Sequence, residues 1–274
     1  MPIRLLTFAD GSVRWRLAGR RLARQANSLG WFKRVEVWNL PRLSIEIPQL
    51  FSDNPHLDFA ATRGLGYWLW RPYILHHALR SIPSGETILF LDAGCQLNNS
   101  EGSRLRLSEY MTMVHEFDSL VMRIDEPLSK WCKADLIQGF GLAEEASSIQ
   151  LVEPGVFFLR STNDNLRLLA DWIQWGRLND HHFLDDGPSA SPESAVFQEH
   201  RHDQSILTCL ASRYPIHSIP QETFFEGQWI TAGGSSPIWA TRNSSPILLH
   251  QNSLVSRLAT DVTTRRSRRR VKRH

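Results

Sequence analysis

The chain has 274 residues, of which 42% are hydrophobic and 22% are charged, and this balance excludes a disordered protein. It has no run of about 18 uncharged apolar residues and no apolar segment typical of a signal peptide, so we expect neither a membrane span nor classical export. The three cysteines form no Cys-x-x-Cys pair, and their odd number argues against a disulfide framework. A cytoplasmic enzyme-sized α/β domain is therefore expected.

The charge of the chain is uneven. The formal net charge is +3, but residues 265–274 carry seven Lys and Arg residues and no acid, so the remainder has a net charge of −4. We expect one domain over residues 1–255, followed by a basic, disordered tail at 256–274. Two interpretations of the tail stay open: a solvated segment, or a peripheral contact with anionic lipid at the inner membrane face. No specific nucleic-acid partner is expected, because no recognition motif is present.

The first half of the chain alternates between strand and helix patterns. Residues 3–8 form an apolar run typical of a buried strand, ended by the turn residues Ala9, Asp10 and Gly11. An amphipathic helix is predicted over 15–29, where Gly30 ends it, and a second strand over 34–40. Strand, helix and strand in this order predict the beginning of a parallel sheet.

Further along, a helix is predicted from Pro72 to about residue 80, followed by a central strand at 87–91. We predict helices at about 104–117, 164–175 and 203–212, a strand at 155–159 and a last strand at 246–250. Residues 178–199 show no clear period and are expected to form a long loop. Four tryptophans lie in periodic apolar stretches and are predicted to be core residues: Trp68, Trp70, Trp172 and Trp175.

Asp92 follows the predicted central strand directly and is the strongest candidate site residue. A carboxylate in this position projects into the crevice at the carboxyl edge of a parallel sheet, where it could hold a divalent cation. The alternative is that Asp92 only caps the turn made with Ala93 and Gly94. His250 ends the last predicted strand in the same way, so the two side chains could meet on one cation.

Other polar residues lie at predicted element ends. Asp203 could cap a helix while Gln204 points beyond its terminus, although capping alone explains the pair equally well. Glu153 lies at the start of a strand, where it could accept hydrogen bonds from sugar hydroxyls or simply face water. Arg63 and Arg71 are candidate phosphate ligands through their guanidinium groups.

A third set of polar residues is interpreted more simply. His200 and His202 could bind metal at their spacing of two, but an ordinary polar loop is the preferred interpretation. Solvated positions are likewise preferred for Lys130, Lys133 and Asp135.

Taken in order, five segments of the chain resemble glycosyltransferases of the GT-A fold, in particular a bacterial group akin to the retaining galactosyl- and glucosyltransferases related to glycogenin. These segments read RGLGYWLWRPYIL, ILFLDAGCQLN, VEPGVFFLR, EHRHDQSILT and ILLHQ. The resemblance extends over about residues 3–252. It implies an α/β, Rossmann-like domain with a mixed, mostly parallel sheet between helices.

The same resemblance implies roles for individual residues. Asp92 matches the first aspartate of an Asp-x-Asp metal motif, whose middle position is Ala93, whereas Gly94 replaces the second aspartate. His250 matches a histidine that completes a manganese site. Catalytic roles beside the anomeric carbon are implied for Asp203 and Gln204. Donor-binding roles are implied for the following residues: Thr7, Phe8, Asp10, Arg63, Asp92, Ala93, Gly94, Glu153 and Gly155.

The resemblance implies a transferase that moves a hexose from a nucleotide-diphosphate sugar, with a UDP-sugar favoured, to a glycan or other hydroxyl acceptor. Retention of anomeric configuration, Mn²⁺ and a role in polysaccharide biosynthesis are implied by the resemblance alone. Two alternatives stay open within the same fold class: a degenerate protein that binds a sugar nucleotide without turnover, and a nucleotidyltransferase or phosphate-ester enzyme. A nucleic-acid-binding module built around the tail is a further alternative.

Overall fold

The computed structural model describes residues 3–244 and shows a six-stranded sheet between two layers of helices. The strands are β1 Ile3–Phe8, β2 Phe32–Trp38, β3 Thr87–Leu91, β5 Ser119–Pro127, β6 Gln150–Arg160 and β7 Ser218–Pro220. Their order is β2-β1-β3-β6-β5-β7, and β6 runs antiparallel to both of its neighbours. The other pairs in the sheet are parallel. The prediction of an α/β domain with a mixed, mostly parallel sheet is confirmed.

Two further short strands, β4 Gln96–Leu97 and β8 Ile238–Trp239, pair antiparallel beside the main sheet. The helices are α1 Val13–Leu29, α2 Leu40–Glu46, α3 Gln49–Ser52, α4 Gly64–Tyr67, α5 Trp70–Arg80, α6 Glu101–Phe117, α7 Leu128–Trp131, α8 Ala134–Phe140, α9 Asn163–His181 and α10 Asp203–Leu210. Within the described residues, no helix is both long and apolar enough to cross a membrane.

The sheet separates two parts of the hydrophobic core. On one face α1 and α6 contribute Leu22 and Tyr110 to a cluster with Ile3 and Leu5 of β1. On the other face α5, α9 and α10 pack on Leu6 and Phe157. Such alternation follows from the strand period of two, which sends successive side chains to opposite faces.

The predicted elements differ from the observed ones mainly at their ends. The strands β1 and β3 have the predicted bounds, whereas β6 is longer than predicted at both ends. The helix α1 begins at Val13 because the Ser12 hydroxyl accepts a hydrogen bond from the Trp15 amide, and it ends at Gly30 in the left-handed conformation. The segment α9 extends to His181, but Leu178, Asn179 and Asp180 have non-helical backbone angles, so the regular helix ends where the loop from residue 178 was predicted to begin.

The predicted core tryptophans are buried or packed against the core. Trp70 and Trp172 are almost fully buried, whereas Trp68 and Trp175 are half-buried against the core. The predicted last strand, His250 and the basic tail lie outside the described residues.

Candidate active site

Asp92 lies at the carboxyl end of β3, as predicted from the apolar run before it. Its amide donates to the Gly155 carbonyl at 2.9 Å, which continues the pairing of β3 with β6 by one residue. A Cβ added to Gly155 would lie 2.5 Å from Asp92 Oδ2, so the carboxylate lies directly over the glycine. Its side chain is 48% exposed and therefore faces the crevice at this edge of the sheet.

The turn after Asp92 is covered by residues 241–243, which we call the strap. Gly94 O accepts from the Asn243 amide at 3.1 Å and from the Thr241 hydroxyl at 2.7 Å. A Cβ on Gly94 would lie 2.9 Å from the Cα of Arg242. The position that matches the second carboxylate of a metal motif therefore has no room for a side chain while the strap is in place.

Arg21 of α1 forms hydrogen bonds with the backbone of the same turn. Its buried guanidinium donates to Ala93 O at 3.1 Å, to Cys95 O at 2.9 Å and to Asn243 O at 2.8 Å. These bonds join the Asp92 turn to the strap. Ala93 is thus a structural part of the turn, with its side chain buried.

Arg71, in the first turn of α5, connects two acidic residues of the site. Its Nη2 lies 3.1 Å from Asp92 Oδ1, and its Nη1 forms an ion pair with Asp203 Oδ2. The side chains of Arg71 and Asp203 are only 3% and 5% exposed. A fixed positive charge therefore lies against the strand-end carboxylate in a largely water-excluded position.

Asp203 and Gln204 open α10 next to this ion pair. Asp203 does not cap the helix: His202 occupies the N-cap position without a side-chain cap, and the Asp203 carboxylate pairs with Arg71 instead. Trp172 Nε1 donates to Asp203 O at 3.1 Å. Gln204 Nε2 donates to Val152 O at 2.9 Å, which orients its side chain along β6. Both residues thus lie at the edge that carries Asp92.

Glu153 lies in the part of β6 that continues past the end of β3. It accepts hydrogen bonds from Gln221 Nε2 and, at 3.3 Å, from the Thr223 hydroxyl. Burial raises the pKa of Glu153, and the nearby charge of Asp92 acts in the same direction against these hydrogen bonds. The carboxylate is thus held inside the site rather than exposed at a turn.

Residues 64–68, which we call the left-handed segment, form a wall beside Asp203. All five have positive φ values, including the non-glycine residues Leu65, Tyr67 and Trp68 at 56°, 51° and 61°. The Tyr67 ring stacks on His202 with 4.9 Å between centroids. Such conformations cost about 1–3 kcal/mol each and persist where the surroundings enforce them, often at functional sites. The Gly-x-Gly-aromatic motif was the signal for this wall in the sequence.

The loop after β1 contributes Asp10 rather than Thr7 or Phe8 side chains. Thr7 is fully buried, and Phe8 stacks on Trp70 with 3.9 Å between ring centroids. The side chains of these two residues are therefore not available to a nucleotide. Asp10 accepts from the Leu40 amide at 2.9 Å and pairs with Arg16 at 3.1 Å, so it ties the loop to α2 and α1.

Arg63 lies at the outer end of the left-handed segment. It pairs with Glu199 at 3.4 Å, and its side chain is about half exposed. Among the two arginines considered from sequence, Arg71 is the one that contacts Asp92. Arg63 lies farther out, at the N-cap position of α4, and its partner Glu199 is on the loop before α10.

The histidines before α10 are buried structural residues. His200 Nε2 lies 3.0 Å from Phe183 O and His202 Nδ1 lies 2.8 Å from Leu184 O. Burial lowers the pKa of both imidazoles, so they are neutral near pH 7. The polar-loop interpretation is corrected: both side chains anchor the preceding loop from inside.

The interpretation of Lys133 as a solvated residue is wrong. Its ammonium is buried, donates to His182 O at 2.6 Å and pairs with Asp185 at 2.8 Å. Asp135 accepts from His182 and from two backbone amides of the same loop. Burial opposes ionisation, but these bonds outweigh it and hold the pKa of Asp135 below its usual range. This cluster stabilises the long loop and is not joined to Asp92.

The described residues do not assemble a complete metal site. Within residues 3–244 no group of three or more His, Cys, Asp or Glu side chains is placed to hold a metal ion. Asp92 offers one exposed carboxylate, and one of its oxygens is engaged by Arg71. The other ligand implied by the resemblance, His250, lies outside the described residues.

The chain was compared with family models, curated proteins and solved structures. No family model and no curated protein matches. Among solved structures it is similar to mouse xyloside xylosyltransferase 1, at 14% identity and TM-score 0.48, over 90% of this chain and all of that one. It is also similar to a glycosyltransferase involved in the glycosylation of the major capsid of PBCV-1, at 12% identity and TM-score 0.47, over 87% of this chain and 93% of that one. A third similar structure is the galactosyltransferase LgtC in complex with donor and acceptor sugar analogs, at 12% identity and TM-score 0.45, over 90% of this chain and 84% of that one.

All three of these solved structures are glycosyltransferases. The likeness at this identity is one of fold.

Proposed function

We propose that the protein is a glycosyltransferase that moves a hexose from a nucleotide-diphosphate sugar to a hydroxyl group of a glycan or similar acceptor. The observation that carries this proposal is the bridge made by Arg71 between Asp92 and Asp203. It brings a cation, a strand-end carboxylate and the start of α10 into one crevice. Gln204 and Glu153 contribute further oxygens at the same edge.

The chemistry of sugar transfer needs two kinds of group. Negative charge grows on the departing diphosphate while positive charge develops at the anomeric carbon, so a cation must face the first and oxygen atoms the second. Arg71 and Asp92 lie on the diphosphate side of the proposal. Gln204 and Asp203 lie on the sugar side.

Retention of anomeric configuration is proposed by resemblance, and the same residues disfavour a stable covalent intermediate. Asp203 is committed to Arg71, and the Gln204 amide is a poor nucleophile. We therefore propose front-face substitution, in which the acceptor attacks from the side that the leaving group departs. A UDP-sugar is the proposed donor and polysaccharide biosynthesis the proposed context, both by resemblance.

A divalent cation, with Mn²⁺ proposed, would be held by Asp92 and His250 and would neutralise charge on the diphosphate. Arg71 supplies a fixed positive charge at Asp92 independently of that ion. We propose that the protein works in the cytoplasm, where its described cysteines stay free thiols.

The second candidate is a sugar-nucleotide-binding protein without turnover. The observation that favours it is the strap over Gly94, which leaves no room for the second metal carboxylate. Donor binding without release of nucleoside diphosphate, across a broad panel of acceptors, would support this candidate.

The proposal is tested by supplying UDP-, GDP-, CDP- and dTDP-sugars with glycan acceptors and measuring the released nucleotide. A transferase releases the nucleoside diphosphate, whereas a nucleotidyltransferase or phosphate-ester enzyme releases pyrophosphate or phosphate. Asp92→Asn should abolish release. Asp118→Asn is the matched control, because Asp118 is similarly exposed but precedes β5 at the opposite edge of the sheet. Equal rates in Asp92→Asn and the control would exclude the assigned site.

A further inference from the structure

The helix α1 carries an unusual set of charges. It contains five arginines and no acidic residue. Arg21 points inward to the Asp92 turn, whereas the other four are exposed: Arg14, Arg16, Arg20 and Arg24. Three of these, Arg16, Arg20 and Arg24, are spaced by four residues and therefore form one row along the helix.

This row is not explained by partners within the described chain. Arg16 pairs with Asp10, but Arg14, Arg20 and Arg24 form no ion pair with any residue between 3 and 244. Like charges four residues apart destabilise an isolated helix, and positive charges near its N-terminus oppose the helix dipole. The arrangement is unfavourable for the helix alone and becomes favourable against a negatively charged surface.

Apolar side chains are exposed at the same end of the helix. Val13 is 63% exposed and Trp15 is 39% exposed. Val13 lies on the same face as Arg20 and Arg24, because they are separated by seven and eleven residues, close to two and three helical turns. Trp15 lies in the same first turn. Tryptophan and aliphatic residues beside arginines are typical of helices that lie at the boundary between lipid headgroups and acyl chains.

We propose that the exposed surface of α1, formed by Val13, Arg14 and Trp15 around its first turn and by Arg20 and Arg24 along one face, docks on a membrane surface that contains anionic lipid. The exposed apolar residues favour lipid over nucleic acid, which would be bound by the arginines alone. This surface is separate from the basic tail and does not depend on sugar transfer.

Docking here would also position the candidate active site. Because β1 and β3 are parallel, the start of α1 lies at the same edge of the sheet as Asp92. A membrane against α1 would therefore lie beside the crevice. This placement suits an acceptor carried on a lipid, an extension that rests on the proposed function.

The test is binding of the full chain to vesicles of phosphatidylcholine alone and of phosphatidylcholine mixed with phosphatidylglycerol, measured by co-sedimentation. The α1 variant is Arg14→Gln, Arg20→Gln and Arg24→Gln, which keeps the helix propensity and leaves the Arg16–Asp10 pair intact. The control is Arg80→Gln, Arg167→Gln and Arg177→Gln, on α5 and α9 across the sheet. Both variants lower the net charge from +3 to 0 and leave the tail unchanged.

We expect wild type to bind only the vesicles with phosphatidylglycerol. The α1 variant should bind them on the order of 100-fold more weakly, since each arginine near the surface contributes roughly a fivefold effect, whereas the control should change less than about threefold. Brominated phosphatidylcholine in the anionic vesicles should quench tryptophan fluorescence of the bound protein, and Trp15→Phe should reduce that quenching. Circular dichroism confirms that all variants are folded.

Three results would overturn the proposal. If wild-type protein does not bind vesicles with phosphatidylglycerol, α1 is not a membrane-docking surface. Equal binding by the α1 variant and the control assigns the contact to another basic segment. If the α1 variant loses binding to an RNA oligonucleotide that wild type binds, while its vesicle binding equals that of wild type, α1 is a nucleic-acid surface. In none of these cases is the transferase proposal affected, because nucleotide release is measured without vesicles.

Discussion

Arg71→Met tests the bridge on which the candidate site depends. The substitution removes the guanidinium and leaves the Asp203 carboxylate, whose side chain is 5% exposed, without a counter-charge. An uncompensated buried charge of this kind costs about 3–5 kcal/mol. The partner on the other side, Asp92, is half in water, so its lost pairing adds only about 0–1 kcal/mol.

The expected loss in the free energy of unfolding is therefore about 3–5 kcal/mol, a large fraction of the 5–15 kcal/mol that is usual for a folded domain. Urea denaturation at pH 7 measures it. In the double variant Arg71→Met, Asp203→Asn the buried charge is gone, so this protein should be more stable than Arg71→Met alone by about 1–3 kcal/mol. A loss below about 1 kcal/mol in the single variant, or no recovery in the double variant, would refute the reasoning.

Three further predictions follow from the contacts of the site and the core. Gln204→Ala should lower kcat more than it raises KM for the donor in the nucleotide-release assay, because the side chain is proposed to act at the reacting sugar; an unchanged kcat would remove that role. Trp70→Ala should destabilise the protein by about 3–5 kcal/mol in urea, since the ring is buried against Phe8, and a fully stable variant would contradict its place in the core. Burial raises the pKa of Glu153, so ionising it in the folded state is unfavourable: stability that is present below its ordinary pKa is lost as the pH rises through the raised value. Glu153→Gln should therefore gain stability relative to wild type as the pH rises above about 4, the ordinary pKa of a glutamate, and a pH-independent difference would show that Glu153 does not titrate as proposed.

Local patterns were enough to predict the elements that position Asp92. The continuous apolar run Thr87–Leu91 is typical of a strand buried on both faces. In a parallel sheet, a carboxylate directly after such a strand lies at the crevice along the carboxyl edge. Ser12 and Gly30 mark the ends of α1 in the sequence, although the predicted start was two residues late. Both features depend on neighbours in the chain.

The contacts that complete the site depend on residues far apart in sequence. Arg71 and Asp203 are separated by 132 positions, and the strap meets Gly94 from 147 positions away. No local pattern carries such pairings. One signal was present for Arg71, since an arginine inside the apolar helix α5 requires a buried partner.

The strand β5 was not predicted because its residues, SLVMRIDEP, change from an apolar run to a polar one half-way along. The structure explains the change: the first half is buried under α6, and the second half continues toward the edge of the sheet. Lys133 was predicted to be solvated because its sequence neighbours give no sign of a buried partner. Its burial is stabilised by Asp185 and His182, which are on a distant loop.

The most direct test of the central claim is calorimetric titration of the full chain with UDP, GDP, CDP and dTDP, each with and without Mn²⁺. We expect wild type and the Asp118→Asn control to bind one of these nucleotides and Asp92→Asn to bind it more weakly. Mn²⁺ should strengthen binding only where Asp92 is intact. Binding of none of the four by folded wild-type protein would contradict the assignment of the Asp92 crevice as a sugar-nucleotide site.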